Sequence, residues 1–190
     1  MIAAHELGLV DRLELRRTVV RMSAPNVDLL RDNPLGKIPT LVLDDGAIIV
    51  DSGVICDYFD SLAGGGALIP RSGAERWREL SRHAMLTGWL DILILWRNER
   101  DKPPDKQTAA WLAGFDLKTR ATLNRFEGDI DPISDAPLRL SQITLGCCLS
   151  YLDFRFATID WRRENAQLAA WHNGFRQRAS AKATEIVDDS

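Results

Sequence analysis

Asn33-Pro34-Leu35-Gly36-Lys37-Ile38-Pro39-Thr40-Leu41-Val42-Leu43, followed shortly by Asp51-Ser52-Gly53-Val54-Ile55, sets the frame for the whole chain. A short loop ends in an Xaa-Pro bond, and a β-rich segment starts directly after it. Residues 40–43 and 47–50 read as two strands, because Asp45-Gly46 between them is a two-residue hairpin signal. At Asp51-Ser52 the hydrophobic period changes. Val54, Ile55, Tyr58, Phe59 and Leu62 fall on one apolar face, which predicts a helix over residues 52–62.

Upstream, residues 2–9 read as a short helix closed near Gly8. Residues 13–20 alternate and contain β-branched side chains, so a strand is expected there. Residues 25–32 suit a short helix or helical loop, stopped by Asn33-Pro34. Downstream, Ala63-Gly64-Gly65-Gly66-Ala67-Leu68-Ile69-Pro70 is the clearest boundary, since three glycines and a proline do not continue a helix.

Everything beyond reads as helix. A long one is predicted over residues 74–97, a second over 105–126 after the Pro103-Pro104 break, and a loop bracketed by Pro132 and Pro137. Residues 143–156 are apolar nearly all round, as for the central helix of a bundle, with Ser141 as its cap and Leu140 against Leu145 as a staple. Residues 165–178 form a last amphipathic helix, and a polar tail follows. Strands and helices first, then helices only, indicate a small α/β domain joined to an α-bundle.

The chain has 190 residues, 45% hydrophobic and 27% charged, with a formal net charge of -3. Its pI is near 5.6, which gives no electrostatic case for nucleic acid. The most apolar run, residues 90–96, contains Asp91 and falls far short of the ~20 residues a membrane span needs. Cys56, Cys147 and Cys148 show no metal-ligand spacing and sit in apolar helical contexts, pointing to a reducing compartment. No signal segment is visible, so a cytoplasmic location is expected.

The Gly36-Lys37-Ile38-Pro39 and Asp51-Ser52 motifs, in this order and spacing, resemble the glutathione S-transferase family. Ala74-Glu75-Arg76-Trp77 and Tyr151-Leu152-Asp153-Phe154-Arg155-Phe156 are similar to bacterial members, and the resemblance covers nearly the whole chain. It implies a thioredoxin-like glutathione-binding domain over residues 1–62, a linker over 63–73 and an all-helical domain over 74–190. In the family a strand and a loop bearing the catalytic Ser, Tyr or Cys precede the first helix, whereas Met1 here falls where that helix is under way. No Ser, Thr, Cys or Tyr occurs before Thr18, so the catalytic residue is unknown. The absent strand is central in the family, lying between residues 13–20 and 40–43, so an ordinary four-stranded sheet is not expected.

The resemblance further implies a cis Ile38-Pro39 bond, with the Ile38 main chain pairing to the cysteinyl part of glutathione like an added strand. Ser52 would bind the γ-glutamyl carboxylate, Asp51 its amino group and Lys37 the glycyl carboxylate. Read without the resemblance, Ser52 and Asp51 are a helix cap and a dipole complement. A second-substrate pocket would draw on Trp77, Met85, Trp89 and Trp96, with His83 nearby, although core packing also accounts for each. His5 reads as an exposed helical histidine. The implied activity is conjugation of glutathione, as co-substrate, to a small electrophile by a homodimer without metal. The alternative is a non-catalytic glutathione-binding or interaction module of the same fold. Glutathione-dependent reduction would require a nucleophilic Cys before the first helix, and none is present.

Overall fold

The computed structural model describes residues 1–134 and 136–187 and divides into two units at Arg71/Ser72. In the first, helix α1 (Ile2–Glu6) ends where Gly8 adopts φ 66, and a 3-10 turn follows at Val10–Arg12. His5 on α1 is half-buried rather than exposed. Helix α2 (Val27–Asp32) is capped by Asn26, whose side-chain oxygen accepts from the Asp28 and Leu29 amides at 3.1 and 3.0 Å.

Strands β1 (Thr40–Val42) and β2 (Ile48–Val50) form an antiparallel hairpin with the pairs Thr40–Val50, Leu41–Ile49 and Val42–Ile48. Strand alternation turns Leu41 and Ile49 onto a small core of Ala4, Leu9, Ile55 and Phe59. It leaves Val42, Ile48 and Val50 exposed. Helix α3 (Ser52–Leu62) supplies Ile55 and Phe59 to that core, as its apolar face predicts.

Residues 13–20 are not a strand. They form no ladder, and Leu15, Val19 and Val20 are exposed. An extended segment becomes a strand only when its backbone groups find a partner. Among the described residues the sheet holds β1 and β2 alone.

The glycine run is a built loop. Gly64, Gly65 and Gly66 all take positive φ (99, 75 and 89). This backbone winds around Asp60, which is 2% exposed and accepts the amides of Gly66, Ala67, Leu68 and Ile69 at 2.9–3.2 Å. The carboxylate serves four backbone donors at once with charge-assisted hydrogen bonds.

The second unit is all helix: α4 (Gly73–Arg100), α5 (Ala109–Gly128), α6 (Ile130–Ser134), α7 (Leu140–Arg155), α8 (Trp161–Glu164), α9 (Ala166–Phe175) and α10 (Ala179–Lys182). Leu86, Trp89 and Leu93 of α4 meet Leu145, Leu149 and Leu152 of α7 in its core, with Leu168 of α9. Three glutamates cap the starts of other helices. Glu79 accepts the Ser141 amide and hydroxyl at 2.5 and 2.8 Å at the start of α7. Glu99 accepts the Thr108 amide at 2.7 Å just before α5. Glu127 accepts the Gln167 and Leu168 amides at 3.0 and 2.7 Å in α9. Each carboxylate satisfies donors that a helix cannot pair internally and meets the positive end of its dipole.

Several boundaries differ from the sequence reading. The second helix starts at Ala109 rather than 105, because Pro104–Lys106 forms a 3-10 turn first. Ser141 lies inside the first turn of α7, not before it, and its hydroxyl serves Glu79 instead of the helix. Residues 130–134 are helical, with Pro132 in the first turn, where no amide is needed. The stretch expected as one helix over 165–178 ends at Phe175, and Ala179–Lys182 is helical rather than an irregular tail. Among the described residues no helix is long and apolar enough to cross a membrane.

Candidate functional site

The loop before β1 is organised by one buried side chain. Asn33, 3% exposed, donates from Nδ2 to the Lys37 carbonyl at 3.0 Å and to Thr40 Oγ1 at 3.1 Å. Its Oδ1 accepts the Leu35 amide at 3.1 Å, and its own carbonyl accepts the Gly36 amide at 2.8 Å. The Thr40 hydroxyl donates to the Lys37 carbonyl at 2.9 Å. Gly36 completes the turn at φ 59, where a Cβ would also crowd Leu30. The turn thus fixes residues 33–40 from inside while Lys37, Ile38 and Pro39 face outward, all three exposed. The Ile38-Pro39 bond is cis.

Across the hairpin, Thr40 pairs with Val50 as the end of the ladder. One step beyond that pair stand Pro39 and Asp51, and two steps beyond stand Ile38 and Ser52. Asp51 has φ 76, the one positive value at a non-glycine residue among those described. Such a conformation costs on the order of 1–3 kcal/mol and persists only where its surroundings hold it. Here the Asp51 carboxylate accepts the Gly53 amide at 2.7 Å and its carbonyl accepts the Ile55 amide at 3.0 Å, heading α3. Ser52, half-buried, is the first residue of that helix, and its hydroxyl forms no hydrogen bond among the described residues. The Lys37 side chain forms no ion pair among them.

The fold therefore brings two loops to one end of the hairpin: an exposed backbone edge at Ile38, and a helix start with a hydroxyl and outward amides. Such a helix start suits a carboxylate, and an exposed extended edge suits a peptide. Asn33, which organises this loop, is the residue of the candidate site that sequence reading passed over. Its signal was its place before a Pro-containing turn, where Asn side chains pair with the main chain.

The second-substrate candidates separate. Trp89 and Trp96 are core residues, 2% and 9% exposed, while Trp77 and Met85 are 69% and 48% exposed. His83 is buried with Nδ1 at 2.9 Å from Thr144 Oγ1. That hydroxyl donates to the Leu140 carbonyl, so His83 Nδ1 is the donor between them. Thr144 thus ties α4 to α7.

A Ser–His–Asp cluster occurs in the bundle, but its proton arrangement is wrong for a nucleophile. His172 Nε2 lies 3.0 Å from Ser150 Oγ, and its Nδ1 lies 3.1 Å from Arg162 Nη2. Arginine only donates, so Nδ1 accepts and Nε2 carries the proton, which leaves no base facing Ser150. Burial pushes the His172 pKa down to about 4, with Asp153 opposing and Arg162 assisting. Asp153 itself is engaged by Arg162 and by Trp161 Nε1. Among the described residues no group of His, Cys, Asp and Glu is placed to hold a metal ion.

Residues 1–62 match the family model described as "Glutathione S-transferase, N-terminal domain". A glutathione transferase family member from Pseudomonas fluorescens Pf-5, solved with bound glutathione, is 38% identical at a TM-score of 0.94, covering 98% of this chain and 92% of that one. The chain belongs to the glutathione S-transferase family. A family member from the same organism, solved with bound S-(propanoic acid)-glutathione, is 37% identical at a TM-score of 0.90 over 98% of this chain and 91% of that one. Among curated proteins, the GST-like protein YibF of Escherichia coli K12, itself uncharacterised, is 27% identical over 155 residues, 80% of this chain and 77% of that protein. The fold is the family's: a thioredoxin-like first part with a reduced sheet, and an all-helical second part.

Proposed function

We propose that the first unit binds glutathione across the end of the β1–β2 hairpin and that the protein conjugates it to a small electrophile. Lys37, Ile38, Pro39, Asp51 and Ser52 make the cradle. The Ile38 main chain pairs with the cysteinyl residue, while Ser52 and the α3 amides take the γ-glutamyl carboxylate. Asp51 takes the amino group and Lys37 the glycyl carboxylate. The observation that carries this reading is the Thr40–Val50 register, which sets the two loops side by side beyond the ladder. The glutathione held by the Pseudomonas relative and the S-substituted glutathione held by its counterpart add support.

In the reaction the glutathione sulfur forms a bond to an electrophilic carbon as the leaving group departs or a double bond opens. The cradle contributes orientation, converting an encounter in solution into a positioned attack. Cytoplasmic residence fits this chemistry, since Cys56, Cys147 and Cys148 form no disulfide among the described residues. A homodimer is the assembly we propose, on the strength of Ile48, Val50 and Val54 standing exposed in the first unit. Light scattering of the purified protein reads the assembly directly.

The test of function is steady-state turnover of glutathione with a chromogenic electrophile, beside retention on immobilised glutathione. Glutathione-dependent turnover is expected. Retention without turnover identifies a non-catalytic binding module instead, and failure of both overturns the reading.

A further inference from the structure

The Lys37 carbonyl is held from two sides. Asn33 Nδ2 donates to it at 3.0 Å and the Thr40 hydroxyl at 2.9 Å. Asn33 Nδ2 also donates to Thr40 Oγ1 at 3.1 Å, which closes a triangle of hydrogen bonds. The Asn33 amide thereby places its two N–H donors on two acceptors, and the Thr40 hydroxyl both accepts and donates. The two side chains are anchored differently. Asn33 is 3% exposed at the end of α2, whereas Thr40 is half-buried and opens β1, its backbone paired with Val50. A β-branched side chain on a paired strand has few rotamers open to it. Thr40 therefore ties the loop to the hairpin from the strand side.

The consequence falls on the next amide. The Lys37–Ile38 peptide bond is trans, so its C=O and N–H point in opposite directions. A carbonyl drawn inward by two donors turns the Ile38 N–H outward. That N–H forms no hydrogen bond among the described residues, and Ile38 is 50% exposed. Removing the Thr40 hydroxyl would take away one of the two bonds that orient this peptide plane. It would also leave one donor of the nearly buried Asn33 amide without its acceptor, which is costly in itself.

Building on the cradle reading above, we propose that Thr40 is a positioning residue of the binding site. Through the Lys37 carbonyl it fixes the direction of the Ile38 N–H, the donor offered to the cysteinyl residue of glutathione. Its hydroxyl acts through a peptide plane and makes no bond to the ligand. A donor already aimed at its acceptor need not be ordered when the ligand arrives, so the gain appears as affinity.

The test is calorimetric titration of the full chain with glutathione, in the parent and in Thr40→Val, Thr40→Ala and Thr40→Ser. Each is read beside its thermal midpoint and the carbonyl carbon-13 shift of Lys37 in the ligand-free protein. Thr40→Val keeps the shape and strand preference, and Thr40→Ala removes the hydroxyl with less bulk. Both are expected to weaken glutathione by about 5-fold or more, while Thr40→Ser, which keeps the hydroxyl, stays within about 2-fold of the parent. The Lys37 carbonyl signal should move upfield in the valine and alanine variants and hold its place in the serine variant. A lowered midpoint with unchanged affinity in the folded valine or alanine variant would mark a merely structural role and overturns the proposal. An unmoved Lys37 carbonyl, or a serine variant as weak as the alanine one, overturns it too. A parent chain that does not bind glutathione overturns the cradle and the role of Thr40 with it, whereas a parent that binds no better than folded Thr40→Val removes Thr40 alone.

Discussion

Glu79 in α4 accepts both the backbone amide and the side-chain hydroxyl of Ser141, at 2.5 and 2.8 Å, although 62 residues separate them. Both residues are buried, at 4% exposure each. The carboxylate thereby caps the central helix α7 from a neighbouring helix. Removing it strands a buried amide and a buried hydroxyl together. Glu79→Ala is therefore expected to cost about 2–4 kcal/mol in urea unfolding, against about 1 kcal/mol for Ser141→Ala, which leaves the amide bond in place. Equal losses in the two variants would show that the cap is the hydroxyl alone.

At Gly146 the Phe175 ring of α9 lies directly against α7. A Cβ built there would lie 2.1–2.4 Å from atoms of the Phe175 ring, which stacks against Trp171 at 5.4 Å. The ring has no room to retreat without breaking that stack. Gly146→Ala is expected to destabilise by about 1–3 kcal/mol, although alanine ordinarily favours a helix. Thermal unfolding checks the sign: a gain in midpoint would mean that the ring moves freely.

His172 gives the bundle a calculable acid sensitivity. Its pKa falls from an ordinary value of 6.5 to about 4 through burial. Between those values the unfolded chain binds a proton that the folded chain refuses, so stability declines as pH falls from about 6.5 to 4. At 1.36 kcal/mol per unit the loss reaches about 3 kcal/mol and levels off below pH 4. Carboxylates titrate in the same range, so the informative quantity is the difference from His172→Gln. The variant's stability curve should be flatter by that amount across the window, and parallel curves would show that His172 is not held neutral.

The parts of the fold legible in sequence were those set by local pattern. Asp45-Gly46 marked the hairpin, the 3.6-residue period marked α3, and the glycine run marked the change to helix. What stayed hidden depended on residues far apart. Nothing near Ser141 announces that Glu79 will cap its helix, and nothing near Gly64-Gly65-Gly66 announces that Asp60 will gather four amides of the loop. Residues 13–20 show the opposite failure. Their alternation is that of a strand, but pairing belongs to two segments at once and cannot be read from one. At the candidate site, Ile38-Pro39 and Asp51-Ser52 were visible as motifs, whereas Asn33 was visible only as a helix stop.

Asp51 at φ 76 and Ser52 beside it stand across from Pro39 and Ile38, one and two steps beyond the Thr40–Val50 pair. The account of this protein rests on that arrangement being a glutathione cradle. Calorimetric titration with glutathione of the parent chain, Ser52→Ala and Asn33→Ala tests it most directly. The parent should bind, and loss of a charge-assisted bond to the γ-glutamyl carboxylate should weaken Ser52→Ala by at least ~10-fold at unchanged thermal stability. Asn33→Ala, which frees the Lys37–Thr40 loop, should weaken binding as well and lower the unfolding midpoint. A parent chain that does not bind glutathione, or a Ser52→Ala variant that binds it as tightly as the parent, would contradict the account.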